Sequence, residues 1–171
     1  AEELAPDAVI AIPPAQAESE DDARRYYAAL AAAVRRPLFV QTTGGARNLK
    51  IRPESIIALA REFPHAAYVK EELEPVIERM RKLAAARPTI KGVFSGKGGR
   101  GMMYEMRLGM DGTMPGPAYA DIYVQVWNLY QAGRKAEARD LFARLLLMIN
   151  VAEQAPGALL YIMKKRGVFA N

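Results

Sequence analysis

Five short apolar runs, separated by longer stretches of helical period, constrain the fold of this 171-residue chain more than any other feature. The runs are DAVIAIPP (7–14), PLFVQT (37–42), AAYVKE (66–71), TIKGVFS (89–95) and DGTMPG (111–116), and each reads as a β-strand. Between them lie SEDDARRYYAALAAAV, RPESIIALAREF, LEPVIERMRKLAAA and RGMMYEMRLG, which read as helices, the first with Ser19 as N-cap and acids in its opening turn. Strands that are almost continuously apolar are expected where a parallel sheet is covered on both faces, so the alternation predicts an α/β layer architecture. Periodicity by itself does not separate a doubly wound sheet from part of a barrel. Past residue 116 the pattern is helical: AYADIYVQVWNLYQAG, then RKAEARDLFARLLLMINVAEQ, with Gly133 as C-cap between them, and a last turn-rich segment, PGALLYIMKKRGVF.

Composition narrows the function classes. Half the residues are hydrophobic (51%), as in a globular domain with a sizeable core. Lys and Arg outnumber Asp and Glu by 24 to 19, but the two signs are interspersed, as in KEELEPVIERMRKLAAAR, so nucleic acid is not implied. A modest positive excess suits a small carboxylate substrate, and equally a merely soluble surface. There is no cysteine, which excludes disulfides and thiolate metal sites, and the single histidine, His65, cannot build a metal cluster alone. No basic leader precedes an apolar segment and no apolar run is long enough to cross a bilayer, so no membrane partner is expected and a reducing cytoplasm is the simplest location.

The segment SGKGGRG (95–101) follows a strand and opens a helix, a context suited to anion binding by free N–H groups. It matches neither the dinucleotide fingerprint nor the P-loop spacing. It reads either as a loop whose backbone approaches a ligand or as a flexible turn. Met102, Met103, Met106 and Met110 fall at helical spacing and read as packing. Tyr119, Tyr123, Trp127 and Tyr130 make an aromatic stripe that reads as core or as a subunit interface.

The stretch AAYVKEELEP (66–75) carries the chemistry. On a strand, Tyr68, Lys70 and Glu72 share one face, and Val69 and Glu71 the other. A lysine at the end of an apolar parallel strand sits where α/β folds place their sites, and desolvation there yields a nucleophilic amine able to form a Schiff base. On spacing alone the simpler reading is a strand-end lysine that reaches water and pairs with Glu72.

The order AVIAIPP, RPLFVQTTGG, IRPESIIALA, YVKEE, GVFSGKGG and GMDGTMPG resembles the dihydrodipicolinate synthase and N-acetylneuraminate lyase superfamily of (β/α)8-barrel lyases. The likeness runs over nearly the whole chain, including the helices that follow the eighth strand in that family. It implies a TIM-barrel α/β fold represented by strands four to eight over residues 1–117, with the eighth helix and C-terminal helices over 118–171. A closed barrel rarely occupies fewer than about 200 residues, so a fragment, or a chain completed by further polypeptide, is expected.

In the family, the lysine of the sixth-strand Lys-Glu motif forms a Schiff base with a 2-keto acid, and the resemblance places that role on Lys70. The family's Thr-Thr carboxylate motif falls ahead of this stretch and is not carried onto Thr42 or Thr43. Its fifth strand usually ends in a proton-relaying tyrosine, where this chain has Gln41, and an amide is neither a general acid nor a general base. Glu72 is then the carboxylate placed to handle protons, or else simply a partner for Lys70. Gln41 and Thr43 are candidates to hold substrate hydroxyls. Ser95, Gly96, Met114 and Pro115, closing the seventh and eighth strands, are candidates for the rest of the wall, by backbone more than by side chain. Members lacking the tyrosine look similar to the 2-keto-3-deoxy sugar acid dehydratases, in particular those acting on L-2-keto-3-deoxyarabinonate. The resemblance thus implies a cofactor-free hydro-lyase forming 2,5-dioxopentanoate, and a homo-oligomer, commonly a tetramer, in the intact protein. The alternatives are a retro-aldolase or synthase of the same family, and a non-catalytic interaction protein made from part of a barrel.

Overall fold

The computed structural model describes residues 2–47 and 49–169. All five strands form, each shorter than its apolar run: β1 Val9–Ala11, β2 Leu38–Gln41, β3 Tyr68–Glu71, β4 Gly92–Ser95 and β5 Gly112–Thr113. Prolines flank them, Pro13 and Pro14 after β1, Pro37 before β2 and Pro115 after β5, and a residue without an N–H cannot extend a ladder. The helices are α1 Glu20–Ala33, α2 Pro53–Glu62, α3 Val76–Ala85, α4 Met102–Arg107, α5 Ala120–Gln131, α6 Lys135–Gln154 and α7 Ala158–Lys165. No helix among the described residues is long and apolar enough to cross a membrane.

Local signals act where expected. Ser19 Oγ accepts from Asp22 N at 3.1 Å and the Asp22 carboxylate accepts from Ser19 N at 3.0 Å, a capping box that starts α1. Gly133 follows the Ala132 cap of α5 with φ +78°, the left-handed conformation that ends a helix without a Cβ clash. The last segment has turns at both ends, as expected, but its middle forms α7, where Ile162 and Met163 pack against the second apolar cluster.

The sheet is wholly parallel and runs in sequence order, β1-β2-β3-β4-β5. A doubly wound sheet reverses its strand order at a switch point, whereas a barrel segment steps always to the next strand. Sequential order therefore resolves what periodicity left open. Leu38, Val40, Val69 and Val93 form the buried face, packed with Tyr27 of α1, Ile56 and Leu59 of α2, and Met80 and Leu83 of α3.

Among the described residues no helix packs on the opposite face, whereas the strands' apolar character leads to an expectation of cover on both. Burial alternates along β2 and β3, and Phe39, Tyr68 and Phe94 on this face are half-buried and in ring contact. The Phe39 and Tyr68 rings stack with centroids 5.0 Å apart, and Phe94 tilts against Phe39 at 5.4 Å. Ile10, in register with Phe39, is 48% exposed.

A second core joins α4, α5 and α6 around Met102, Met106, Tyr123, Val126, Phe142 and Leu145. Met110 belongs to the first core. Tyr119 and Tyr123 are buried here and Trp127 and Tyr130 pack on their margin, so the aromatic stripe faces the protein's own helices.

Candidate active site

Strand register brings the site together. Gln41 pairs with Lys70, and Lys70 with Phe94, so these side chains stand abreast on the uncovered face at the C-terminal end of the sheet. The Lys70 amine lies 3.4 Å from Glu72 Oε1 and 3.5 Å from Gln41 Oε1, with the lysine and glutamate side chains only 18% and 16% exposed. The other glutamate oxygen is held: Glu72 Oε2 accepts from Gln41 Nε2 at 2.7 Å and from the Thr43 hydroxyl. One carboxylate oxygen is thus anchored while its twin faces the amine.

Gly96 makes this possible, because a Cβ there would overlap the Glu72 carboxylate. Gln41 is fixed from behind by the buried Tyr27 hydroxyl, 2.7 Å from Gln41 O and 2.9 Å from Ala11 O, which ties α1 to the ends of β1 and β2. Burial pushes the Tyr27 phenol far above its ordinary value, so it stays a neutral donor.

Gln41, Thr43, Lys70, Glu72 and Gly96 therefore meet in one cluster. Ser95, Met114 and Pro115 are placed differently. Ser95 is in register with Glu71 and so faces the helices, its hydroxyl 2.6 Å from Glu105 Oε2 and 2.9 Å from Thr113 Oγ1. Met114 N donates to Ser95 O at 2.8 Å, continuing the pairing beyond β5. Pro115 borders an apolar cavity against the C-terminal helices.

Sequence reasoning missed the support beneath the cluster. Glu71 is fully buried, and its Oε1 accepts from Thr42 Oγ1 (2.7 Å), Glu72 N (3.0 Å) and Leu73 N (2.8 Å). Its Oε2 lies 3.0 Å from Arg79 Nη2 of α3, and Thr42 Oγ1 also accepts from Glu72 N at 2.9 Å. The backbone carrying Glu72 is thereby pinned from the helix side. The signal was present: a charge on the face of Val69 demands a buried partner.

An amine beside a carboxylate, half-buried and fixed by an amide and a hydroxyl, pairs a nucleophile with a proton carrier. Among the described residues no group of three or more His, Cys, Asp or Glu is arranged to hold a metal ion.

Fold and site together define a segment of a (β/α)8 barrel with a lysine at the C-terminal mouth of its sheet, the end where such barrels carry their chemistry. No family model matches the sequence. L-2-keto-3-deoxyarabonate dehydratase of Azospirillum brasilense is 24% identical, the match covering 100% of this chain and 57% of that protein. 4-Hydroxy-tetrahydrodipicolinate synthase of Pelodictyon phaeoclathratiforme is 28% identical over 155 residues, 88% of this chain and 51% of that protein. The crystal structure of dihydrodipicolinate synthase from Rhodopseudomonas palustris matches with a TM-score of 0.79 at 24% identity, over 96% of this chain and 57% of its own. The homologues and structural neighbours of this chain are members of the dihydrodipicolinate synthase and L-2-keto-3-deoxyarabonate dehydratase family. The chain spans about half the length of the curated relatives it matches.

Proposed function

We propose that this chain is the catalytic portion of a Schiff-base-forming hydro-lyase that dehydrates a 2-keto-3-deoxy sugar acid, L-2-keto-3-deoxyarabonate to 2,5-dioxopentanoate being the reaction favoured. In this reading residues 1–117 belong to the barrel and 118–171 supply its eighth helix and the helices beyond. The observation that carries it is the Lys70 amine 3.4 Å from Glu72, whose second oxygen is held by Gln41 and Thr43.

The Lys70 amine adds to the C2 ketone and the carbinolamine hydroxyl leaves as water with a proton from the Glu72 carboxyl, giving an iminium that acidifies C3. Glu72 Oε1 takes the C3 proton and the resulting enamine expels the C4 hydroxyl, which departs as water with a proton from the same carboxyl. A C5 proton then moves to C3, the resulting C4–C5 enol gains a proton at C4 as its hydroxyl gives one up to form the aldehyde, and hydrolysis of the iminium frees Lys70 and product and returns a proton to Glu72. Gln41 and Thr43 keep Glu72 aimed at the lysine, and their remaining lone pairs face substrate hydroxyls.

The match to a dehydratase along the whole chain supports this choice of reaction, as does an amide where the family's tyrosine relay stands. A synthase or aldolase reading draws on the 4-hydroxy-tetrahydrodipicolinate synthases among the relatives. Borohydride reduction with pyruvate, on the longest polypeptide containing this chain, tests the class: a pyruvyl adduct on Lys70, lost in Lys70→Ala, is expected. A folded protein that traps nothing overturns the proposal. Turnover products then separate the reactions, 2,5-dioxopentanoate for dehydration and pyruvate plus glycolaldehyde for cleavage.

A further inference from the structure

Phe94 stands on the strand next to Lys70, and the chemistry proposed above makes no use of it. The two residues are in register, so their side chains leave the same face of adjacent strands. A Cβ at Gly92 would stand 3.2 Å from Phe94 Cε2, and one at Gly112 would stand 3.0 Å from Cε1, so the ring lies over both glycines. Gly92 is level with Tyr68, one pleat further from the mouth than Lys70, and the ring also meets Phe39 at a centroid distance of 5.4 Å. The ring thus leans toward the floor of the site. The Glu72 carboxylate lies the other way: it packs over Gly96, one pleat nearer the mouth than Phe94, and its Oε1 faces the Lys70 amine at 3.4 Å. Lys70 therefore stands between a proton carrier on the mouth side and a wall of carbon on the floor side.

We propose that Phe94 fixes the stereochemistry of proton transfer, deciding which of the two C3 hydrogens of a Lys70-bound 2-keto acid meets Glu72. The inference rests on the Schiff-base reading of Lys70. C3 is bonded to the iminium carbon and so is held in the same gap, where Glu72 takes the hydrogen turned toward the mouth. Rotation about the C2–C3 bond would present the other hydrogen, but it would also drive the C4 tail into space that the Phe94 ring fills. Glu72 returns its proton to the side from which it took one, so exchange is confined to one hydrogen.

The test follows exchange at C3 of 2-oxopentanoate in D2O, on the longest polypeptide containing this chain. This acid has the carbon skeleton of the proposed substrate without its hydroxyls, so exchange cannot run on to elimination. Lys70 forms the iminium with loss of water, Glu72 takes a C3 proton, trades it with solvent for a deuteron and returns the deuteron to C3, and hydrolysis restores the free acid. Stereospecific reduction of the ketone afterwards makes the two C3 positions distinct by NMR. The wild-type product is expected to carry one deuteron of a single configuration. Phe94→Ala is expected to lose that selectivity and label both positions, while borohydride still traps pyruvate on Lys70. Phe94→Val, a better strand former, is expected to do the same and carries the test should the alanine variant fail to fold. A ring that only supported the fold would, on removal, slow exchange without altering its configuration. Single-configuration labelling by either folded variant, or labelling of both positions by wild type, overturns the proposal. A wild-type protein that neither traps pyruvate nor exchanges overturns the Schiff-base reading itself, and this inference with it.

Discussion

Glu71 and Glu72 are neighbours in sequence with opposite surroundings. Glu71 is fully buried and holds Arg79, Thr42 and two backbone N–H groups, whereas Glu72 keeps part of its surface in solvent and leans on Lys70. Removing one partner of a buried ion pair strands the other, so Glu71→Ala is expected to lower the unfolding free energy by about 3 to 5 kcal/mol. Glu72→Ala, whose side chain keeps some contact with solvent, is expected to cost less than Glu71→Ala. Urea unfolding of both variants checks this, and equal losses would contradict the division of roles. The Lys70 and Glu72 pairing was legible because strand period alone puts them on one face. That Glu71 needed a buried partner was legible as well, but not which one, because its cation comes from α3 and spacing along one strand does not say which helix packs behind it.

α4 shows how an element can depend on one side chain. It has only six residues and no side-chain N-cap, and Glu105 anchors it against Ser95 of β4, whose hydroxyl also meets Thr113 of β5. Burial pushes the Glu105 carboxyl above its ordinary 4.5, with the Ser95 hydrogen bond opposing in part. The folded state therefore holds this proton to higher pH than the unfolded chain does. Its stabilising contribution is complete below 4.5 and is lost as pH rises through the folded value. Thermal unfolding across the weakly acid to neutral range should show wild-type stability falling with pH more steeply than that of Glu105→Gln, which carries no titrating proton. Identical slopes would remove Glu105 from the account. Elements of this kind were legible as types but not as lengths. β5 spans two residues because Pro115 stops the ladder, and α7 forms because a tertiary surface accepts it.

At the scale of the molecule, helices cover one face of the sheet and aromatic rings cover themselves on the other. Among the described residues β1 pairs only with β2, and β5 only with β4, so both edges present unpaired backbone groups. Hydrogen exchange of the monomeric chain should therefore be slowest in β3 and fastest in β1 and β5. A β1 as protected as β3 would mean that another strand is paired along that edge.

The sequence by itself determined the alternation of strands and helices, the capping of α1 and the face on which Lys70 stands, because each is set by local stereochemistry and by periods of two or 3.6 residues. Only the tertiary structure decided that the sheet winds in one direction, that α1, α2 and α3 pack on the face of Val40 and Val69, that Gly96 makes room for Glu72, and that Arg79 neutralises Glu71. Those outcomes depend on which elements lie side by side, and a period along the chain carries no information about what stands across from it.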